Sequence, residues 1–393
     1  MKKFLLATAA TALCAGAAQA EDIKLGIILG FTGPLESITP DMASGAELAM
    51  KEVTDSGALL DGSTVTPIRA DSTCIDAAAA TSAAERLITS DRVSALVGAD
   101  CSGVTGAILS NVAVPNGIVM ISPSATSPGL STAEDNDLFF RTAPSDARQG
   151  QVISDILTDL GYKSAAVSYV NNDYGKGLAD AFEASFKEAG GEITINAAHE
   201  DQKADYAAEV GALAAAGGDI LVVAGYVDGG GSGVTRAAID AGAFDVFHFP
   251  DGMTGQALVD RFGAELDGST ADVPGTDSPG SQMYIDMVGD SFNPTGPFSP
   301  ESYDAAALIM LAMQAAGSSN SADLKAKVMD VANAPGEEIF PGELAKGLQI
   351  LAEGGDIDYV GASAVELIGP GESAGNYREI KYEGGKEVTA QYR

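Results

Sequence analysis

Tryptophan is absent from this chain of 393 residues, histidine occurs twice and cysteine three times, and 22 basic residues face 55 acidic ones. Each scarcity narrows the function. His199 and His248 stand in neither a triad-like nor a metal-ligand spacing, so histidine-based hydrolysis and histidine metal centres lack their residues. The formal net charge of −33 repels nucleic acid and anionic lipid and favours solubility. No stretch approaches the roughly 20 apolar residues of a membrane-spanning helix. A phosphate-cradling loop is also missing after the first strand: Gly30-Phe31-Thr32-Gly33 lacks the dinucleotide spacing, and Gly229–Gly233 meets no basic residue before Arg236. An enzyme, a cofactor and a metal are therefore not expected. Sparse aromatics with abundant Ala and Gly suit helices packed tightly on sheets.

What is present begins with an export signal over residues 1–20. Lys2 and Lys3 precede the apolar run Phe4–Ala10, and Ala18-Gln19-Ala20 has the small-x-small pattern of a signal-peptidase site. Cys14 invites a lipid-anchor reading, but Leu13 and Thr11 fit a lipoprotein site poorly. Cleavage removes two lysines and no acid, taking the charge from −33 to −35 for a chain that starts at Glu21. Two cysteines then remain, Cys74 and Cys101. In an oxidising compartment an even pair reads as one disulfide, with two buried thiols as the alternative.

Apolar runs and helical periodicity alternate almost throughout. Ile23–Leu29, bounded by Gly30, has the continuous apolar character of a buried parallel strand. Met42, Ala46, Ala49, Met50 and Val53 then recur at the spacing of one helix face. Further strands are predicted at Val93–Gly98, Gly117–Ile121, Ser164–Tyr169, near Ile193, at Asp219–Gly225 and at Val246–Pro250, with helices between them. This is the rhythm of open, doubly wound α/β sheets in two similar lobes. Residues 275–297 are rich in Gly, Ser and Pro and read as loops or crossovers. Ser302–Met313 reads as a strongly apolar helix, and Tyr377–Tyr382 with Glu387–Tyr392 as a hairpin.

Ligands of open α/β sheets sit at the carboxyl ends of the strands. The most telling segment there is Cys101-Ser102-Gly103-Val104-Thr105, which opens a helix directly behind a strand. Its free N–H groups and its dipole favour an anion. The next strand ends in a second hydroxyl-rich loop, Ser124-Ala125-Thr126-Ser127. The later half offers Tyr174, Tyr226, Asp228 and Asp251 at corresponding ends. A zwitterion with its carboxylate on the first lobe and its ammonium on the second satisfies both, the ammonium pairing with a carboxylate and stacking on a phenol ring. Plainer readings stand beside these: a simple N-cap for Ser102, a turn hydroxyl for Thr126, packing for the tyrosines, turn residues for Asp228 and Asp251, and solvation for Glu36.

The ordered set Gly33-Pro34, Ser44–Ala49, Cys74, Val97-Gly98, Cys101-Ser102, Ile121–Thr126, Phe140-Arg141-Thr142, Asp173-Tyr174-Gly175, Gly225-Tyr226 and Tyr303-Asp304-Ala305 resembles the leucine/isoleucine/valine-binding type of periplasmic receptor for ABC transporters. The resemblance spans nearly the whole chain after the leader. It implies a type I periplasmic-binding-protein fold, with two doubly wound α/β lobes joined by three hinge crossovers and closing around ligand. The lobes are expected over 21–143 with 276–350, and over 144–275 with 351–393. A Cys74–Cys101 disulfide, carboxylate contacts from Ser102, Ser124 and Thr126, and an ammonium among Tyr174, Tyr226 and Asp251 are further implications. Thr105 and Ala125 belong to the same loops. Asp251 stands where the amino-acid receptors usually carry Glu. Ile38 stands where an aromatic is common, and Glu36 beside it hints at a polar or cationic ligand group. A monomeric periplasmic protein that hands a small solute to a membrane permease is the expected activity. A sensory receptor, or one for an amide, urea-like compound or aromatic acid, shares the same residues.

Overall fold

The computed structural model describes residues 20–393, so all but the last position of the expected leader lies outside the described residues. Among the described residues no helix is long and apolar enough to cross a membrane.

The first half lays down five parallel strands: β1 (Asp22–Leu29), β2 (Thr64–Asp71), β3 (Ala95–Gly98), β4 (Val119–Ser122) and β5 (Phe139–Pro144). A second set follows in β6 (Ser164–Val170), β7 (Glu192–His199), β8 (Ile220–Ala224), β9 (Phe247–Phe249) and β10 (Thr270–Pro274). The last part supplies a small pair, β11 (Glu337–Ile339) and β12 (Ile357–Tyr359), then β13 (Leu367–Ile368), β14 (Glu372–Ser373), β15 (Tyr377–Glu383) and β16 (Lys386–Tyr392). They assemble into two seven-stranded sheets, ordered β13-β14-β5-β4-β3-β1-β2 and β16-β15-β10-β9-β8-β6-β7. Both sheets are mainly parallel, the doubly wound arrangement expected of a type I periplasmic-binding-protein fold.

Strand β1 is buried because it is flanked on both edges: Leu25, Ile27, Ile28 and Leu29 are wholly inaccessible. Helix Thr39–Ser56 lays its apolar stripe on helix Ser299–Ala316. The latter is apolar on every side and is buried continuously from Glu301 to Met313. In the second lobe helix Asp146–Asp159 packs on helix Asp173–Glu188.

Three departures from the sequence reading have physical causes. Strand β2 is an edge strand with exposed polar positions and Pro67, so it lacks an apolar run. Strand β10 is fully buried yet carries Thr270 and Asp272, whose side chains are satisfied by His248 rather than by water. Within the supposed loop region 275–297 lies helix Pro279–Val288, started by the Ser278 hydroxyl, which accepts from Ser281 N, and by Pro279 in its first turn.

The expected lobe boundary at 351 is also corrected. Strand β12 pairs with β11, and β14 pairs with β5 on the first sheet; only β15 and β16 join the second. The chain thus passes between the sheets after β5, after β10 and between β14 and β15.

Candidate functional site

Strand β3 ends at Gly98, whose φ of +128° and position exclude any side chain: an added Cβ would lie 2.1 Å from the Ile28 carbonyl oxygen. The tight exit leads through Asp100 and Cys101 into helix Ser102–Ile108. Cys101 is bonded to Cys74, with Cα atoms 5.1 Å apart. Buried Asp100 accepts from Gly30 N (2.9 Å) and Ser72 Oγ (2.7 Å), tying three strand ends together. Its burial raises its pKa.

The second loop is held from below. Buried Arg141 donates to the carbonyls of Ala125 (2.9 Å) and Ser127 (3.0 Å), and also to Ser131 and to Glu372 of β14 (2.5 Å). Ser127 N donates to Ser102 Oγ (3.0 Å), and Ser124 Oγ donates to the Asp100 carbonyl (3.1 Å). The two hydroxyl-rich loops therefore form one braced unit.

From the second lobe, Asn172 caps helix Asp173–Glu188 by accepting from Gly175 N, and its amide donates to Tyr226 Oη (3.2 Å). Tyr174 and Tyr226 stack with centroids 5.2 Å apart. Tyr174 donates to Asp251 Oδ1 (2.6 Å), which also accepts from Gly252 N (2.6 Å). Gly252 has no room for a side chain, since a Cβ there would meet the Gly225 carbonyl at 2.6 Å. Burial is the main cause that pushes the Asp251 carboxyl up, to about 7. Burial first, and the neighbouring Asp251 charge second, drive the Tyr174 hydroxyl far above its usual range, so it remains a donor.

These elements line a small cavity of about 20 Å³ between the lobes, with Ser102, Ser124, Asp100 and Cys101 on one side and Tyr174, Tyr226, Asp251 and Gly252 on the other. Leu35 and Phe298 complete it. The lobes are closed on one another: Ser37 N donates to Asp228 Oδ2 (2.9 Å) and Asp228 N to the Pro34 carbonyl (3.0 Å).

Ser102, Ser124, Tyr174, Tyr226 and Asp251 thus meet as the sequence suggested. Thr105, Ala125 and Thr126 are buried behind that lining, and the hydroxyls of Thr105 and Thr126 have no partner. Two candidates are displaced. Glu36 is exposed to solvent, and Ile38 is buried with its methyl group turned toward Gly255, near Pro297. Their loop turns at Gly33, so Leu35 faces the cavity instead. Sequence reading also missed Asp100, a lone acidic residue at the end of β3, and Phe298, which lies just past the Gly-, Ser- and Pro-rich stretch 275–297 and before the helix read at Ser302. Phe298 has φ +60°, uncommon for a bulky residue and a mark of strain at a binding wall.

The fold and this inter-lobe site define a two-lobed solute receptor. The pattern described as Periplasmic binding protein matches residues 22–343, and the chain belongs to that family. The Leu/Ile/Val-binding protein homolog 3 of Brucella melitensis is 29% identical over 359 residues, covering 90% of this chain and 93% of that one. The branched-chain amino acid transporter substrate-binding protein LivJ of Streptococcus pneumoniae, solved with isoleucine, superposes with a TM-score of 0.77 at 25% identity over 95% of this chain and 99% of that one. A solute-binding protein of R. palustris solved with benzoate has a TM-score of 0.76 at 20% identity, covering 94% and 96%.

Proposed function

We propose that this protein is the extracytoplasmic receptor of an ABC importer and closes on a small amino acid. The ligand carboxylate faces Ser102 and Ser124 at the helix N-terminus, and the ammonium faces Tyr174, Tyr226 and Asp251. One observation carries this reading: the cavity between the lobes joins the Ser102 and Ser124 hydroxyls at a helix start to a wall of two phenols and one carboxylate. Helix N–H groups stabilise an anion, and a buried carboxylate beside an aromatic face stabilises a cation. The relatives are named for branched-chain amino acids, and Leu35 and Phe298 offer an apolar surface to such a side chain.

Ligand contacts to both lobes favour the closed state, and a membrane permease reads the closed shape. Asp228 serves that step as a latch. Its carboxylate and backbone N–H bridge to the loop at Pro34 and Ser37, while Arg261 steadies it from its own lobe at 3.4 Å. One such hydrogen bond contributes about 0.5–1.5 kcal/mol. Asp228→Ala is therefore expected to weaken ligand binding by about two- to tenfold, mainly through faster release. Stopped-flow fluorescence checks this; an unchanged off-rate removes the latch role.

A second reading, an aromatic or other carboxylate without an ammonium, draws on the benzoate complex of the R. palustris relative and on the apolar wall. Calorimetric titration of protein stripped by unfolding and refolding separates the two. Tight one-to-one binding by an L-amino acid supports the proposal. Binding by benzoate-like acids alone overturns the ligand class while leaving the fold.

A further inference from the structure

A second cavity, of about 130 Å³, lies where the chain crosses between the lobes after β10, along Gly275 and Thr276. It is separate from the ligand cavity, and one short segment divides them. Phe298 faces the ligand cavity, whereas Pro297, Pro300 and Glu301 face this one. One wall belongs to the second sheet, with Pro274 of β10, Arg378 of β15 and Tyr392 of β16. The other belongs to the first lobe, with Ser281, Pro297 and Glu301. There helix Pro279–Val288 is fastened to helix Ser299–Ala316, since Tyr284 Oη and Ser299 Oγ lie 2.8 Å apart. The cavity therefore has its two walls on different lobes.

Opposite charges face it from those walls. Glu301 is 2% exposed, and its Oε2 has no hydrogen-bond partner. The Glu301 carbonyl accepts from Thr142 Oγ1 (2.8 Å), which fixes the residue beside the end of β5. Burial pushes its carboxyl up to about 8. Asp304, one helical turn on, is by contrast satisfied by Tyr359, Ala362 and Ser363. Across the cavity Arg378 is half-buried and has no ion-pair partner among the described residues. A buried carboxyl without a donor is costly, and so is a guanidinium held away from water without an acceptor.

We propose that this hinge cavity is a second ligand site, taking a short zwitterion whose ammonium meets Glu301 and whose carboxylate meets Arg378, and that its occupation favours the closed arrangement of the lobes. An ammonium supplies the donors that Glu301 lacks, and a guanidinium fork matches a carboxylate. A solute with only a positive charge would leave Arg378 facing a cation, and one with only a negative charge would face Glu301. A ligand that touches both walls binds best where the walls stand at this spacing. It thereby biases the lobes toward closure, and by linkage each of the two ligands strengthens the other.

The probe is 4-aminobutyrate, whose separated charges suit two opposed walls. It is titrated calorimetrically into stripped Asp251→Asn protein, in which the site between the lobes is disabled, and into the same protein carrying Glu301→Gln or Arg378→Gln, with melting curves for each. One-to-one binding is expected in Asp251→Asn, weakened about tenfold or more by either further substitution. Should the Glu301→Gln protein fail to fold, Arg378→Gln, at a half-buried position, carries the comparison. No binding in Asp251→Asn, or binding that survives the change at Arg378, overturns the hinge site. In the wild type, saturating 4-aminobutyrate is expected to raise the affinity for L-leucine by about threefold or more. An unchanged or lowered affinity overturns the coupling. If L-leucine does not bind at all, the amino-acid reading fails, while the titrations in Asp251→Asn still decide the hinge site.

Discussion

Asp251→Ala is expected to weaken amino-acid binding by about 10²–10³-fold, because truncating one partner of a desolvated charge pair costs several kcal/mol. Asp251 lines the cavity from the second lobe; Oδ1 is held by Tyr174 and Gly252, and Oδ2 has no partner. The same residue gives binding a pH dependence whose sign follows from its burial. In the closed protein the carboxyl is raised from 3.8 to about 7, so without a cation it favours the protonated form. A ligand ammonium favours the ionised form, so affinity rises as pH increases through about 7 and falls on acidification. For stability the sign is opposite. The raised pKa means that the contribution of Asp251 is fully present below 3.8 and is lost as pH rises through about 7. Asp251→Asn is thus expected to melt higher than the wild type at pH 8, bind poorly, and show a flat affinity–pH profile in this range. Calorimetry from pH 5.5 to 8.5 checks this. Retained affinity with the same pH slope would place the ammonium elsewhere.

Loss of the Cys74–Cys101 disulfide is expected to have the largest effect on stability. The bridge closes a loop of sequence separation 27, and constraint of the unfolded chain contributes about 3–4 kcal/mol. For lobes of this size that corresponds to a drop in Tm of about 10 °C for Cys74→Ser/Cys101→Ser. The effect reaches the site, since Cys101 directly precedes the Ser102 helix and Cys74 sits in a left-handed turn (φ +66°) beside Asp100. Ligand affinity is therefore expected to fall along with Tm. Differential scanning calorimetry with and without reductant, paired with ligand titration, reads both. Coincident melts under the two conditions would remove the bridge from the stability of the fold.

Much of the architecture was legible in the sequence because parallel strands buried on both faces must be apolar throughout, as at Ile23–Leu29 and Asp219–Gly225. The helix that opens at Ser102 and the ends of β6, β8 and β9, where Tyr174, Tyr226 and Asp251 follow, were legible for the same reason: a loop at a strand end is located once the strand is. The edge strand β2 escaped notice because half of it meets solvent. Strand β10 escaped because its polar side chains pair with His248, a partner 22 and 24 residues away.

The sequence by itself determined the doubly wound class, the acidic surface and the residue types of both walls, all of which depend on local pattern. Tertiary structure alone decided that Leu35 and Phe298, rather than Glu36 and Ile38, close the cavity. It also split the C-terminal segment between the sheets. Those choices depend on where three separate crossings of the chain meet in space, and on which buried polar atoms find a partner there. No spacing along the chain encodes either.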